Sequence, residues 1–246
     1  MDTRESGRDL AAVASLLADA TRAAFCLALL DGRPWSAGEL ARHTGVAAST
    51  ATGHLHQLVA SGLVIEERRG RHRYVALAGP EVAELIESLA ALAPPASRVP
   101  PRSLTAARTT RALALGRTCY DHLAGALGVR VTDALTGRGF LDDRGGLALT
   151  PEGGAFLSGL GITLPATRRP AVRSCLDLTE RRPHLAGAVG AALCRHAFDD
   201  GWVVRTGPTR AVAVTEKGRR ELYRHFGIEA GAARATVPPL RSCDSA

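Results

Sequence analysis

Two cysteine–histidine pairs carry the chemistry most open to this chain. Cys119 and His122 stand three positions apart, and Cys175 precedes His184 with Asp177 between them. Both pairs belong to an internal repeat. Arg117-Thr118-Cys119-Tyr120-Asp121 recurs as Arg173-Ser174-Cys175-Leu176-Asp177, and the segment His122 to Gly128 recurs as His184 to Gly190 with six of seven positions identical. Thiolate and imidazole donors in a set of four suit Zn²⁺ or another borderline-soft ion. On a helix, Cys119 and His122 share a face, and Pro183 breaks a helix so that His184 turns back toward Cys175. Packing of the two units about a pseudo-twofold axis would bring all four side chains together, with Asp121 and Asp177 as ligands or as acceptors behind the imidazoles. The same residues also fit thiol oxidation, the lining of a small-molecule pocket, or a purely structural core. In that last reading the cysteines are buried, the histidines hydrogen-bonded, Arg117 and Arg173 paired with the aspartates, and the Ala-Gly-Ala segments packed as close helices.

The elements around these residues also repeat. Gly139-Phe140-Leu141 and Gly201-Trp202-Val203 follow the two histidines at equal distance and lead to second strands, Leu147–Thr150 and Ala211–Thr215. Thr150 and Thr215 then cap new helices. Helix, hairpin and capped helix, twice over, predict a pair of winged-helix-like units over residues 113–230. The first hairpin tip, Asp142-Asp143-Arg144-Gly145-Gly146, would repel phosphate. The second, Arg205 to Arg210, could touch it. An effector or assembly role suits the module better than DNA binding. Before it, residues 94–112 read as a Pro/Arg-rich linker, and the five arginines from Arg98 to Arg117, with no acid among them, read as a solvated face. After it, residues 231–246, with Cys243, read as a flexible tail.

The first 93 residues have a different organisation. Apolar spacing predicts helices on both sides of Asp19-Ala20-Thr21. Ser36 and Glu39 form a capping box that opens a short helix, Ala37–His43. The turn Thr44-Gly45-Val46 leads to a longer helix from about Ala47 to Ser61, a helix-turn-helix pattern. Two β-rich stretches follow, Leu63–Glu67 and Arg73–Leu77, around Arg68-Arg69-Gly70-Arg71-His72. A hairpin tipped with arginine, directly after such a helix, is the wing of a winged helix, and its guanidinium groups suit phosphate.

This part of the chain resembles the ArsR/SmtB-type winged helix-turn-helix transcriptional regulators. The resemblance rests on Leu16–Arg22, Glu39-Leu40-Ala41, Ser49–Leu55 and Leu58–Val64, and it covers about residues 8–93. It implies a homodimer built from Leu10–Ala18 and Glu81–Leu92, bound to double-stranded DNA. It further implies that Ser49, Thr50, Thr52, His54 and Gln57 face the major groove, while Arg68, Arg69, Arg71 and Arg73 form the wing. The sequence departs from the family in two places. Residues 47–61 contain no Arg or Lys, leaving hydroxyls, Gln57 and the His54/His56 pair for base contacts. The segment Glu39–His43 lacks the Cys-x-Cys of metal-sensing members, and Glu81–Leu92 has three Glu and no His, so neither of the family's sensor sites is present.

The predicted fold class is therefore α+β, mostly α: a DNA-binding and dimerisation domain over 1–93, then the duplicated module. The 246 residues are 46% hydrophobic, typical of globular chains, and carry a formal charge of +7. That charge is uneven, with nine Arg against eleven Asp and Glu up to residue 93, so local placement is more informative than the total. No apolar run reaches the ~18 residues of a membrane span. The opening Met1-Asp2-Thr3-Arg4-Glu5 does not look like a secretory leader, and five scattered cysteines fit a reducing compartment. A cytoplasmic location is expected. An enzyme is not, because there is no Gly-rich turn after a strand, no nucleophile elbow and no phosphate loop. The expected function is a DNA-binding regulator, a repressor, responding to a metal, thiol-oxidation or small-molecule signal. The alternatives are a protein-interaction scaffold built of winged helices, or a small-molecule methyltransferase with a winged-helix dimerisation domain.

Overall fold

The computed structural model describes residues 3–93, 103–166, 169–207 and 209–229. Most of the Pro-rich segment, Pro208 of the second hairpin tip and the tail with Cys243 lie outside the described residues.

The N-terminal helices are α1 (Thr3–Leu17) and α2 (Ala20–Leu29), with Asp19 accepting from the Arg22 N–H as the α2 cap. A short strand, β1 (Trp35–Ser36), leads to α3 (Ala37–Thr44), where Ser36 and Glu39 make both bonds of the capping box. Gly45 closes α3 at φ 74°, a left-handed conformation that costs glycine little. The second helix of the pair, α4 (Ala48–Ala60), buries Ala51, Leu55 and Leu58, and its other side is open. The wing is β2 (Val64–Arg69) and β3 (His72–Leu77), turning at Gly70-Arg71 with Arg68 opposite Arg73. β1 pairs with β3, so the sheet order is β1-β3-β2. Then comes α5 (Pro80–Leu92), with Pro80 in its first turn. One core, including Phe25, Leu40, Leu58, Val75 and Ile86, holds these elements together.

Residues 104–112, expected to be linker, instead belong to the helix α6 (Leu104–Leu115). Arg108 and Arg111 on it are exposed, as a solvated face requires.

The repeat then unfolds twice in the same order. The first unit is β4 (Arg117–Cys119), β5 (His122–Ala124), α7 (Gly125–Gly137), β6 (Leu141–Asp142), β7 (Ala148–Leu149) and α8 (Pro151–Gly159). The second is β8 (Arg173–Leu176), β9 (Pro183–Ala186), α9 (Gly187–Asp199), β10 (Val203–Arg205), β11 (Val212–Val214) and α10 (Glu216–Phe226). Helix, hairpin and helix capped by Thr150 or Thr215 are as expected. An additional β-hairpin in front of each long helix is not. The repeated His-Leu-Ala-Gly segments are strand-to-helix corners, not close-packed helices: Gly125 and Gly187 turn the chain at φ 73° and 83°. Gly128 and Gly190 let each helix close over its own strand's leucine carbonyl, and a Cβ on Gly190 would stand 2.5 Å from the Leu185 oxygen. The units are interlocked: that same Cβ would stand 3.3 Å from His122 Cβ of the other unit, and Leu185 donates its N–H to Thr132 at 2.8 Å. A second core runs through both units, from Leu123 to Ile228. No single helix among the described residues is long and apolar enough to cross a membrane.

Candidate metal centre and DNA-facing surface

The two hairpins β4–β5 and β8–β9 place the cysteines and histidines. Cys119 sits opposite His122 across one ladder, and Cys175 opposite His184 across the other. The helical placement expected for both pairs is thus wrong: three-residue spacing also fits a two-residue hairpin turn, and Tyr120 supplies the left-handed residue at φ 55°. Pro183 opens a strand, a position that does not need its missing N–H. Convergence happens all the same. Cys119 and Cys175 Sγ atoms lie 3.8 Å apart, and the Nε2 atoms of His122 and His184 lie 3.2 Å apart. With Glu87 of α5, the donor atoms of all five residues are within 4.8 Å of one another, and all five residues are buried.

Behind each imidazole stands a carboxylate. Asp121 Oδ1 is 3.2 Å from His122 Nδ1, and Asp177 Oδ2 is 3.5 Å from His184 Nδ1. Each carboxylate in the cluster also has its own guanidinium. Asp121 is held by Arg169, Asp177 by Arg117 at 2.9 Å, and Glu87 by Arg210 at 3.0 Å. Asp177 additionally accepts the N–H groups of Gly125, Thr179 and Glu180. Arg173, expected beside Asp177, pairs with Glu84 of α5 instead. Arg210 is half-buried and donates to Glu87 at 3.0 Å, so this guanidinium of the second hairpin tip is already held by a carboxylate.

These contacts determine the protonation tendencies. Burial raises the Asp177 carboxyl, but Arg117 and the three N–H donors outweigh it and hold it far below the ordinary range. Burial lowers His122, yet the Asp121 hydrogen bond and the neighbouring Cys175 push it up to about 9. Burial raises the Cys175 thiol, and hydrogen bonds from both imidazoles more than reverse this. Glu87 is pushed up to about 7 by burial and by the adjacent Cys175, with Arg210 opposing. Away from the cluster, burial takes Cys26 to about 11 and Cys194 to about 12, values of inert core thiols. Between the two repeats, a cavity lined by Leu123, Gly128, Leu185 and Gly190 among others has a volume of about 10 Å³. That is room for a single water at most.

Glu87 is the residue that sequence reading missed. The absence of His from 81–92 drew attention away from the helix, and only the tertiary arrangement brings the carboxylate to thiols 32 and 88 positions further on.

On the other surface, Ser49, Thr50 and Thr52 of α4 are exposed, as are His56 and Gln57. His54 is not placed as expected: it turns inward, 3.7 Å from Asp19 and edge-on to Phe25. Gln57 accepts from Arg22 at 2.6 Å, leaving its amide N–H₂ free of that bond. Arg68, Arg69, Arg71 and Arg73 project on the exposed wing, with Arg69 and Arg73 beside Glu67 and Glu66.

Residues 17–67 match a family model described as a helix-turn-helix domain. Over 225 residues, 90% of this chain and 98% of the relative, the sequence is 38% identical to the uncharacterized HTH-type transcriptional regulator YdfF of Bacillus subtilis (strain 168). The chain belongs to the HTH-type transcriptional regulators. It is a non-enzymatic family, and the regulator's first domain is a winged helix-turn-helix of the ArsR/SmtB type. It is also 39% identical, over 88 residues, to the HTH-type transcriptional regulator CmtR of Mycobacterium tuberculosis (strain ATCC 25618 / H37Rv), covering 36% of this chain and 72% of that one. The solved structure of the cadmium metal-sensor CMTR from that species is 36% identical over 36% of this chain and 84% of its own, with a TM-score of 0.28. YdfF aligns with the regulator over nearly its whole length, so the regulator's second half is common to both.

Proposed function

We propose that the regulator is a homodimeric repressor whose operator affinity responds to a divalent, borderline-soft metal ion held by Cys119, Cys175, His122 and His184. The observation that carries this reading is the spacing of the donors. Two thiolates ~2.3 Å from a tetrahedral ion stand about 3.8 Å apart, and two imidazole nitrogens at ~2.0–2.1 Å stand about 3.3–3.4 Å apart. The corresponding separations here are 3.8 Å and 3.2 Å.

Charge supports a divalent ion. Asp121, Asp177 and Glu87 are each matched by an arginine, so two thiolates are the charge left to neutralise. A 2+ ion balances them; a monovalent ion leaves a buried negative charge, which is costly. The Asp121 carboxylate hydrogen-bonded to His122 Nδ1 orients that imidazole with Nε2 inward, as the outer partner of a metal-bound histidine does.

The open side of α4 suits the major groove, with Ser49, Thr50, Thr52 and Gln57 meeting base edges and the wing arginines meeting phosphates. Exposed apolar side chains support dimerisation through α1 and α5: Leu10 and Val13 on the first, Leu85, Leu89 and Leu92 on the second.

The test is elemental analysis of the purified full-length chain, with zinc added and excess removed. One zinc per chain is expected, and none in Cys119→Ser/Cys175→Ser. Equal zinc content in the two proteins would refute the site.

A further inference from the structure

A groove of about 680 Å³ lies where the helix-turn-helix domain meets the second half of the chain. The first domain lines it with Ala24, Leu27 and Ala28, which share one face of α2, and with Trp35 and α3. The second half lines it with Thr109 and Leu113, one turn apart on α6, and with the hairpin tip at Thr209 and Arg210. The halves are fastened beside it, because Tyr120 donates its N–H to the Leu30 carbonyl at 3.0 Å. The groove is thus built by the fold, mostly apolar, and as large as pockets for organic molecules of ~300–1,000 Å³. No thiol or imidazole of the Cys119/His122 and Cys175/His184 cluster lines it.

The charged groups along the groove differ in what remains open to them. Asp31 accepts from Trp35 Nε1 at 3.0 Å and from Arg33 Nε at 2.7 Å. Glu39 accepts the Ser36 N–H at 2.8 Å in the capping box and lies 3.6 Å from Arg33. Arg33 also covers the Trp35 ring at 3.8 Å, and Arg210 is held by Glu87. Both carboxylates of the lining therefore have their donors. Arg42, in the last turn of α3, has no hydrogen bond or ion pair with any described residue, and neither has the Thr109 hydroxyl. A free guanidinium and a free hydroxyl beside an apolar wall suit a ligand with an acidic head and an apolar body.

We propose that the groove is a binding site for a small organic anion, its carboxylate or sulfonate on Arg42 and its apolar body between α2 and Leu113. This site is separate from the metal cluster and does not depend on it. A molecule held there touches α3, the helix that leads through Gly45 into α4, and also α6 of the second half.

The test titrates the full-length regulator, without DNA, with two fluorescent dyes. Anilinonaphthalene sulfonate carries the acid, and its neutral parent, N-phenylnaphthylamine, has the same aromatic body without it. The anionic dye is expected to bind at least about fivefold more tightly, the scale of one hydrogen bond to a charged group. Arg42→Gln, at an exposed position, should bring the two dyes within about twofold of each other while the neutral dye keeps its affinity. Arg42→Lys should retain the preference. Thr109→Trp, and independently Ala24→Phe, fill the groove from opposite halves of the chain and should each weaken both dyes at least tenfold. Equal affinities in the wild type, or a preference for the anion that survives Arg42→Gln, overturn the site. Undiminished dye binding in both filled variants overturns it as well. If Arg42→Gln weakens operator binding and leaves both dyes unchanged, Arg42 is a phosphate contact and the proposal fails.

Discussion

His122 and His184, sixty-two positions apart, meet Nε2 to Nε2 at 3.2 Å, each on a strand packed by the helix of the other repeat. Neither repeat can build this site alone. The duplication supplies two half-sites, and interlocking of the units joins them.

The interlock has a measurable cost when disturbed. A methyl on Gly190 would press on the Leu185 carbonyl at 2.5 Å and on His122 Cβ at 3.3 Å. Gly190→Ala should lower stability by about 1–3 kcal/mol. Gly154, inside α8, has no atom within 4 Å of an added Cβ, so Gly154→Ala should gain about 0.5–1 kcal/mol. Urea titration of the two variants, side by side, measures both signs.

The Arg117–Asp177 pair joins one repeat to the other, with both side chains almost completely removed from solvent. Breaking such a pair strands a buried charge and costs about 3–5 kcal/mol. Arg117→Met should therefore lose stability on that scale. Replacing both members, Arg117→Met with Asp177→Asn, should recover part of it, because no unpaired charge remains. A double variant no more stable than Arg117→Met, by thermal or chemical denaturation, would count against this balance.

Arginines on the wing should add affinity without choosing a sequence. Replacing Arg69 and Arg71 by alanine removes two exposed cations, so binding should weaken for operator and random DNA alike. The slope of log K against log salt should flatten by about 0.9 for each phosphate that the wing no longer neutralises. A salt series by fluorescence anisotropy gives both quantities. An unchanged slope would remove the wing from the DNA interface.

Dimerisation through the exposed faces of α1 and α5 has an equally direct check. Leu92 is 71% exposed and Leu10 70% exposed, unusual for leucines without a partner surface. Leu89→Glu with Leu92→Glu should leave a folded monomer by light scattering and weaken operator binding at least tenfold. A dimer of undiminished stability would place the interface elsewhere.

Local signals made the first domain legible. The Asp19 cap, the Ser36/Glu39 box, Gly45 in the turn and Gly70 in the wing each specify a backbone event within a few residues, and the structure realises all four. The repeat was equally visible, because identical residues at constant spacing need no tertiary knowledge. What local reading could not separate was helix from hairpin around Cys119 and Cys175, since a three-residue spacing satisfies both. Nor could it find Glu87 or the inward turn of His54. The first depends on packing between distant segments, and the second on Asp19 and Phe25 offering an imidazole a better environment than the open face.

The most direct measurement is operator titration of the full-length regulator, first stripped by a chelator and then given one equivalent of zinc. A difference of at least about fivefold is predicted, reversible by chelator and absent from Cys119→Ser/Cys175→Ser. Identical affinities with and without zinc, in a protein shown to carry the ion, would contradict the account.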